Sequence, residues 1–542
     1  MTFLLALTLV CLFTATLTST EYQTVFEAPE PLWTTFHHPI RRVAVVGAGP
    51  AGLQAGAKLI AHNFTVRLFE RAPDPGGNWL YSDETPLREP YPDKPVGETV
   101  QLPAQLPATR YYHEGDEGVS LDDRWKEHWQ PRPVWDSLHT NSPKVSTELP
   151  DVKYDSDTPW VLSNHAIQRH VRSYASHHGL NSNDKQAAPS GLPVTAYSTR
   201  VEKVEKDAAT HTWILTLRRM ERLPESTRIL AKWWTETFDA VVLATGPYVA
   251  PHVPDIDGIV GWSKAKDGDQ FSMRHCQSYR HPERYANKTV LIVGASVSAS
   301  EIARDLSLFT HRTIASIRPA KDRTGRRQRS LSRFPKNTEF VPEILSFEPL
   351  HRHDHGIRDG KIHLVNGSVL RGIDEIILAT GYLRSALFPP NSMRGRPTDV
   401  HWTGHYIPDP TLAYTNVRPW TLGRYQSDGL AKVWEGTARL PTEKQMREEE
   451  RNAGPYWLQL WLGEAVFRRY VAWLNDASLE HGGRFVEPPP IEHRELLRYY
   501  SVVHLLNNTM HLEPFDTFAM SELFESGYND PWDGWVDEDD AW

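Results

Sequence analysis

Residues 43–46 are all apolar, and they run straight into a glycine-rich turn before residues 53–60 take up apolar positions at helical spacing. A continuous apolar run of that length predicts a strand buried on both faces, as in a parallel sheet. Residues 66–69 supply a second strand, so the segment from Arg41 reads strand, tight turn, helix, strand. The same order returns in "KTVLIVGASVSASEIARDLSLF" and the strand "RTIASIR" that follows it. Each copy is followed by an apolar strand with one ending: "FDAVVLATG" closes on Thr245-Gly246 and "IDEIILATGY" on Thr380-Gly381. No short period repeats; a whole module does. Between the copies, residues 164–178 suit an amphipathic helix capped by Ser163 or Asn164. The Pro-rich, polar stretch 83–133 is expected to be an irregular insertion.

The first turn carries all three glycines of a dinucleotide-binding fingerprint. Gly47 allows the sharp turn, Gly49 lets backbone approach a pyrophosphate, and Gly52 lets helix meet strand. Pro50 and Ala51 open the helix, whose N-terminal N–H groups and dipole face the phosphates. Glu70 ends the second strand, where its carboxylate can accept both ribose hydroxyls. That charge would repel a 2′-phosphate, so the site suits FAD or NAD and not NADP. Gly77, Asn78 and Trp79, within "PGGNW", add backbone donors and an indole for stacking.

The second turn breaks the rule. Gly294 is followed by Ser296 where the second glycine should stand, and Ala299 holds the tolerated third position. The hydroxyls of Ser296, Ser298 and Ser300 can compensate. Arg318 stands about where the acid stood in the first unit, the expected forked partner of a 2′-phosphate. The run "KDRTGRRQRSLSR" after it reads first as a solvated loop, and it raises the local positive potential. The site is expected to hold NADPH; a nucleotide-free relic is the alternative.

The chain's 542 residues leave room for two to four domains, and its net charge of −9 is unevenly spread. Residues 513–542 hold ten acidic side chains and no Lys or Arg, so the body is near neutral, which argues against nucleic acid as a partner. That tail is solvated or docks its aromatics on the body. Residues 1–20 look like a signal peptide; with no Lys or Arg before the apolar run, an uncleaved anchor is the alternative, and membrane attachment is expected only there. Sequons at Asn63, Asn287, Asn366 and Asn507 fit a secretory route, secreted or in the ER. The two cysteines, Cys11 and Cys276, offer no redox pair once the leader is removed, which excludes disulfide-reductase chemistry. No metal site is expected.

With both turns in hand, the chain resembles the flavin-containing monooxygenases, class B flavoproteins with one FAD and one NADPH domain. The resemblance spans residues 41–449. It rests on the first turn, "GGNW", "LHTNSPK" at 138–144, the two ATG strands and "YIPDPTLAY" at 406–414. A family fingerprint, Phe-x-Gly-x-x-x-His-Ser-x-x-Tyr, is met in part. "DQFSMRHCQSY" keeps His275 and Tyr279 but has Asp269, Phe271 and Cys276 at the other three positions, so the chain looks like a divergent member.

The resemblance implies an α/β fold with two Rossmann-like dinucleotide-binding domains, the NADPH domain (256–369) inserted into the FAD domain (41–255 and 370–512). It also implies that Asn141 lies beside flavin and nicotinamide as the catalytic residue, with Thr140 near the cofactor; alone, "TNSP" reads as good turn chemistry. Gln426 is expected to line the flavin pocket, and His275 and Tyr279 to order the interdomain linker. In the implied reaction NADPH reduces FAD, reduced flavin and O2 form a C4a-hydroperoxide, and a nitrogen or sulfur of a small-molecule substrate takes the distal oxygen. Baeyer–Villiger monooxygenases share this chemistry, but their fingerprint ends in Trp where Tyr279 stands. An FAD-dependent oxidase, or a non-catalytic flavin-bearing interaction protein, are the remaining alternatives.

Overall fold

The computed structural model describes residues 32–488 apart from 93–101, 143, 160, 182–185, 188–191, 225–226, 247–249, 319–330, 332, 352–355, 384–391, 394–395, 398, 416–419, 454–463 and 484. The leader, the acidic tail, Asn507 and most of the basic run after Arg318 therefore lie outside the described residues.

Strand β1 (Arg42–Val46) has four consecutive buried residues, as its apolar run requires. Helix α1 (Pro50–Ala61) turns back along it, and β2 (Thr65–Phe69) pairs parallel to β1. The chain then leaves the sheet through α2 (Asn164–His177), capped by Ser163, whose hydroxyl accepts the Ala166 N–H at 3.3 Å. It rejoins at β3 (Thr195–Ala196) and β4 (Ala240–Leu243). A second unit follows: β5 (Met273–His275), β6 (Thr289–Val293), α3 (Val297–Leu306), β7 (Arg312–Ile317), β8 (Glu339–Pro342) and β9 (Glu375–Leu378). The chain then returns through β10 (Leu412–Tyr414) and α4 (Trp420–Glu435).

The first sheet has the order β10-β4-β1-β2-β3 and the second β5-β9-β6-β7-β8. Every pairing in both is parallel. Because β10 pairs with β4, the second domain is an insertion within the first. Its end differs from the expected 369/370 boundary. Strand β9 pairs with β6, Val290 opposite Glu375 through Val293 opposite Leu378. The ATG strand flanks the turn of its own unit, as β4 flanks β1, so the inserted domain runs on at least through Leu378.

An antiparallel sheet of Ala108–Tyr112, Arg228–Phe238, Thr212–Leu223 and Thr199–Asp207 covers the first sheet. Val201, Trp213, Leu215 and Leu217 pack there against Phe69, Val241 and Leu243. The 83–133 stretch is thus not wholly irregular: it holds an edge strand of this sheet and a helix, Leu121–Trp129, capped by Ser120. Arg280 sews the two domains together. Its guanidinium donates to the carbonyls of Ser82 at 2.8 Å, Glu84 at 2.6 Å and Arg132 at 3.2 Å on one side, and of Gln277 at 2.9 Å and Tyr279 at 2.7 Å on the other.

Candidate functional site: two dinucleotide turns

The two turns are built alike, bond for bond. Gly47 donates its N–H to the Phe69 carbonyl at 2.7 Å, and Gly294 donates to Ser316 at 3.0 Å. Ala244 donates to Val46 and Ala379 to Val293, both at 2.9 Å. These two alanines open the ATG endings, and their carbonyls explain the glycines opposite. Gly47 (φ +108°) and Gly294 (φ +133°) lie so close to Ala244 O and Ala379 O that any side chain would collide. The turn and the ATG strand form one device, repeated.

Ser296 is tolerated because its backbone never needed a glycine. It caps α3 with φ −97° and ψ −167°, and Gly49 caps α1 with φ −78° and ψ 178°; both are ordinary extended conformations. Neither cap residue bonds the helix through a side chain, so the N-terminal N–H groups of α1 and α3 stay open to an anion. The exposed Ser296 hydroxyl is free to join them. Ser298 is spent differently, against the Cys276 thiol, and Ser300 donates to Val297 O at 3.1 Å. Of the three serines expected to compensate, only Ser296 stands ready to do so.

The third position separates the units. Gly52 packs so tightly on Gly47 O that even a methyl would overlap it, whereas Ala299 carries its methyl, fully buried. Pro50 opens α1, and Gly77 approaches Gly49 so closely that a Cβ on it would lie 2.7 Å from Gly49 Cα. That bare cradle fits a pyrophosphate. Asn78 faces Gly246 at the end of the first ATG strand, and Trp79 packs edge-on against Trp420 at the start of α4, 6.5 Å between ring centres. At the end of β10, the buried Thr415 hydroxyl finds no partner among the described residues, as expected of a group that waits for a ligand.

Glu70 is 4% exposed and held by three donors: Ala48 N–H at 2.8 Å, Ala72 N–H at 2.9 Å and Arg132 Nη2 at 2.7 Å. The register of the second unit places Ile317 where Glu70 stands, since Ser316 matches Phe69. Arg318 is one residue further, exposed, with no partner among the described residues. An apolar residue in place of the carboxylate removes the repulsion that bars a 2′-phosphate from the first turn.

The remaining expectations divide. Thr140 is buried and its hydroxyl is committed, donating to Ser142 O at 2.8 Å and accepting Leu162 N–H at 3.0 Å. Asn141 is half-buried, and its amide has no protein partner among the described residues. Gln426 is fully buried, and its Nε2 donates to Tyr414 O at 3.0 Å, so it ties α4 to β10. His275 is also fully covered, with Nε2 on Gly381 O at 2.9 Å and Nδ1 accepting Gln277 N–H at 3.2 Å. Burial pushes its imidazole down to about 4. Tyr279 donates to Asp305 at 2.6 Å. Cys276 is free and buried, its thiol pushed up to about 12 by desolvation, so it is no thiolate nucleophile. Among the described residues there is no group of side chains able to hold a metal.

Two parallel sheets, each with its own phosphate-ready turn and one nested in the other, define a flavoprotein oxidoreductase that also takes a pyridine nucleotide. Residues 41–322 match the family described as pyridine nucleotide-disulphide oxidoreductase. The chain is 35% identical over 506 residues to flavin-containing monooxygenase iboF of Amanita muscaria, covering 83% of this chain and 91% of that protein. It is 31% identical to flavin-containing monooxygenase ustF2 of Aspergillus flavus, covering 75% and 85%. Among solved structures it is similar to S-allyl-L-cysteine S-oxygenase from Allium sativum, with a TM-score of 0.59 and 21% identity over 90% of this chain and 98% of that one. The chain belongs to the flavin-containing monooxygenases: it is an oxidoreductase that uses FAD and NADPH.

Proposed function

We propose that this enzyme inserts one oxygen atom from O2 into a nitrogen or sulfur lone pair of a small-molecule substrate, with the second oxygen leaving as water at the expense of NADPH. The observation that carries this reading is the second turn: an intact phosphate cradle, Ile317 in the acid's place and an exposed Arg318 next to it. An oxidase that draws electrons only from its substrate has no use for such a site. Bound FAD and NADPH supply hydride transfer and oxygen activation; the chain's task is to place, dry and hydrogen-bond them.

The first turn, Glu70 and the 77–79 loop hold FAD in this reading; Gly294, Ser296, Ala299 and Arg318 hold NADPH. Asn141 acts at the reacting centre. Its uncommitted amide both donates and accepts, so it can hold a reacting oxygen without delivering a stray proton. The leader and the exposed asparagines Asn63, Asn287 and Asn366 support a route through the secretory pathway. No helix among the described residues is long and apolar enough to cross a membrane.

The test is stoichiometry. Purified enzyme given NADPH and a panel of thioethers, tertiary amines and cyclic ketones should consume O2 in step with sulfoxide or N-oxide. Ester from the ketones alone would move the assignment to Baeyer–Villiger oxygenation, and hydrogen peroxide without product would reject oxygen transfer. Asn141→Ala should keep its flavin, form roughly tenfold less product per NADPH and release the balance as peroxide.

A further inference from the structure

The carboxylate of Glu70 shares its pocket with more positive charge than it can balance. On the covering sheet and the 121–129 helix, Glu127 and Glu202 pair with Arg200 and Arg218. Arg71 and Arg132 are left to share Glu70. Arg71 bonds the neutral amide of Gln130, and burial together with the charge of Arg132 pushes it below its ordinary value. Arg132 is 8% exposed, and among the described residues its Nη2 alone of its donors has an acceptor; its buried Nε has none there. A buried guanidinium with spare N–H groups is costly unless something accepts from it. Its main chain is fixed from the other side, because the Arg132 carbonyl accepts from Arg280.

We infer that Arg132 is an FAD-binding residue: its guanidinium braces Glu70 and offers its remaining donors, and the pocket's surplus charge, to the ribose and pyrophosphate oxygens of the adenylate half. Glu70 is anchored at three points, and two of them are peptide N–H groups of the turn and strand end. The third is the Arg132 side chain. Loss of the brace leaves a buried carboxylate with one anchor fewer, and it deprives the pyrophosphate of a cation. The other titratable neighbours do not change charge near neutral pH. His128 is held neutral by burial, at about 3, and Tyr197 is raised by burial and by Glu70. The inference rests on the assignment of the first turn to FAD.

The experiment titrates flavin-free protein with FAD and follows quenching of flavin fluorescence, at pH 7, alongside thermal unfolding of each apoprotein. Arg132→Met is expected to weaken FAD binding at least tenfold while the apoprotein unfolds within a few degrees of wild type. Arg132→Lys should recover most of the affinity, and Arg132→Gln serves as a second neutral variant if the first does not fold. Glu70→Gln should weaken binding as well, and the double variant should bind no worse than about threefold below the weaker single. FAD affinity within twofold of wild type in both neutral variants overturns the inference, as do losses at the two positions that multiply independently. If Glu70→Gln alone leaves FAD binding intact, the failure lies one step earlier, in the assignment of the first turn, and the inference falls with it.

Discussion

Arg318 and Glu70 occupy neighbouring rather than equivalent places in their two units, and the difference of one residue has a chemical consequence. At the end of β7 the equivalent of the carboxylate is Ile317, so no acid at that position opposes the guanidinium of Arg318 for an incoming phosphate. Arg318→Ala should therefore raise the KM for NADPH about 30-fold, a loss of roughly 2 kcal/mol for one charge-assisted contact, and leave the KM for NADH nearly unchanged. Equal losses for both coenzymes would remove the 2′-phosphate role. Gly47, Gly49, Gly52, Gly294 and Glu70 were legible from the sequence because their partners lie in the turn itself or one strand away. Arg132 was not. Its meaning depends on a carboxylate 62 residues earlier, and a Pro-flanked arginine has no local signature of that contact. The bond from Gln426 Nε2 to the Tyr414 carbonyl was hidden as well, since the tie between α4 and β10 has no signature in the local sequence.

Each strand–turn–helix unit tests how far its third small residue may vary. In the first unit α1 lies so close to the turn that Gly52 has no room for a methyl; in the second, α3 stands off enough for Ala299. Gly52→Ala should force α1 away from β1 at a cost on the order of 3 kcal/mol, with loss of bound flavin, read as the ratio of absorbance at 450 and 280 nm. The reciprocal Ala299→Gly should cost only about 1 kcal/mol, mostly helix propensity, and retain NADPH turnover. Flavin retained in the first variant would show that the close approach is not needed. At this scale the parallel strands declared themselves through unbroken apolar runs, buried on both faces. The covering sheet did not. Thr199–Asp207 buries only alternate residues at its start and is charged and exposed toward its end, and Arg228–Phe238 interleaves Lys, Glu and Thr with its core residues. Their pairing is long-range, and solvent-facing charge dilutes the pattern. The helix Leu121–Trp129 was hidden likewise, since only His128 and Trp129 are buried on it.

Across the whole molecule, besides His170 on α2, which burial lowers to about 4, three histidines are buried as neutral bases in three different places, and together the four weigh on how the fold responds to acid. His128 lies under the covering sheet, His275 at the entry to the inserted domain and His405 between β10 and α4. Burial lowers them to about 3, 4 and 3 respectively. His405 belongs to a chain of bonds: His401 meets Glu449 at 3.2 Å, and Thr403 lies 2.9 Å from His401 and 3.0 Å from His405. With His401 donating to the carboxylate, Thr403 donates to His401 and His405 donates to Thr403, an order that needs the Nδ1 of His401 unprotonated. Unfolded, each imidazole takes a proton below about pH 6.5; folded, none does until well below 5. The unfolded chain thus binds more protons in that interval, so stability is complete above pH 7 and declines as pH falls from 6.5. From pH 7.5 to 5.5 the three sites together cost about 4 kcal/mol, while most carboxylates remain ionised. Thermal unfolding followed at pH 8.5, 7.5, 6.5 and 5.5 should give a flat Tm above 7 and a drop of several degrees below 6.5. His405→Gln, which keeps the donor to Thr403 and cannot be protonated, should start from a lower Tm and lose about a quarter of the acid sensitivity. A Tm that stays level down to pH 5.5, or a slope unchanged in His405→Gln, would mean that these imidazoles open to solvent before the fold gives way.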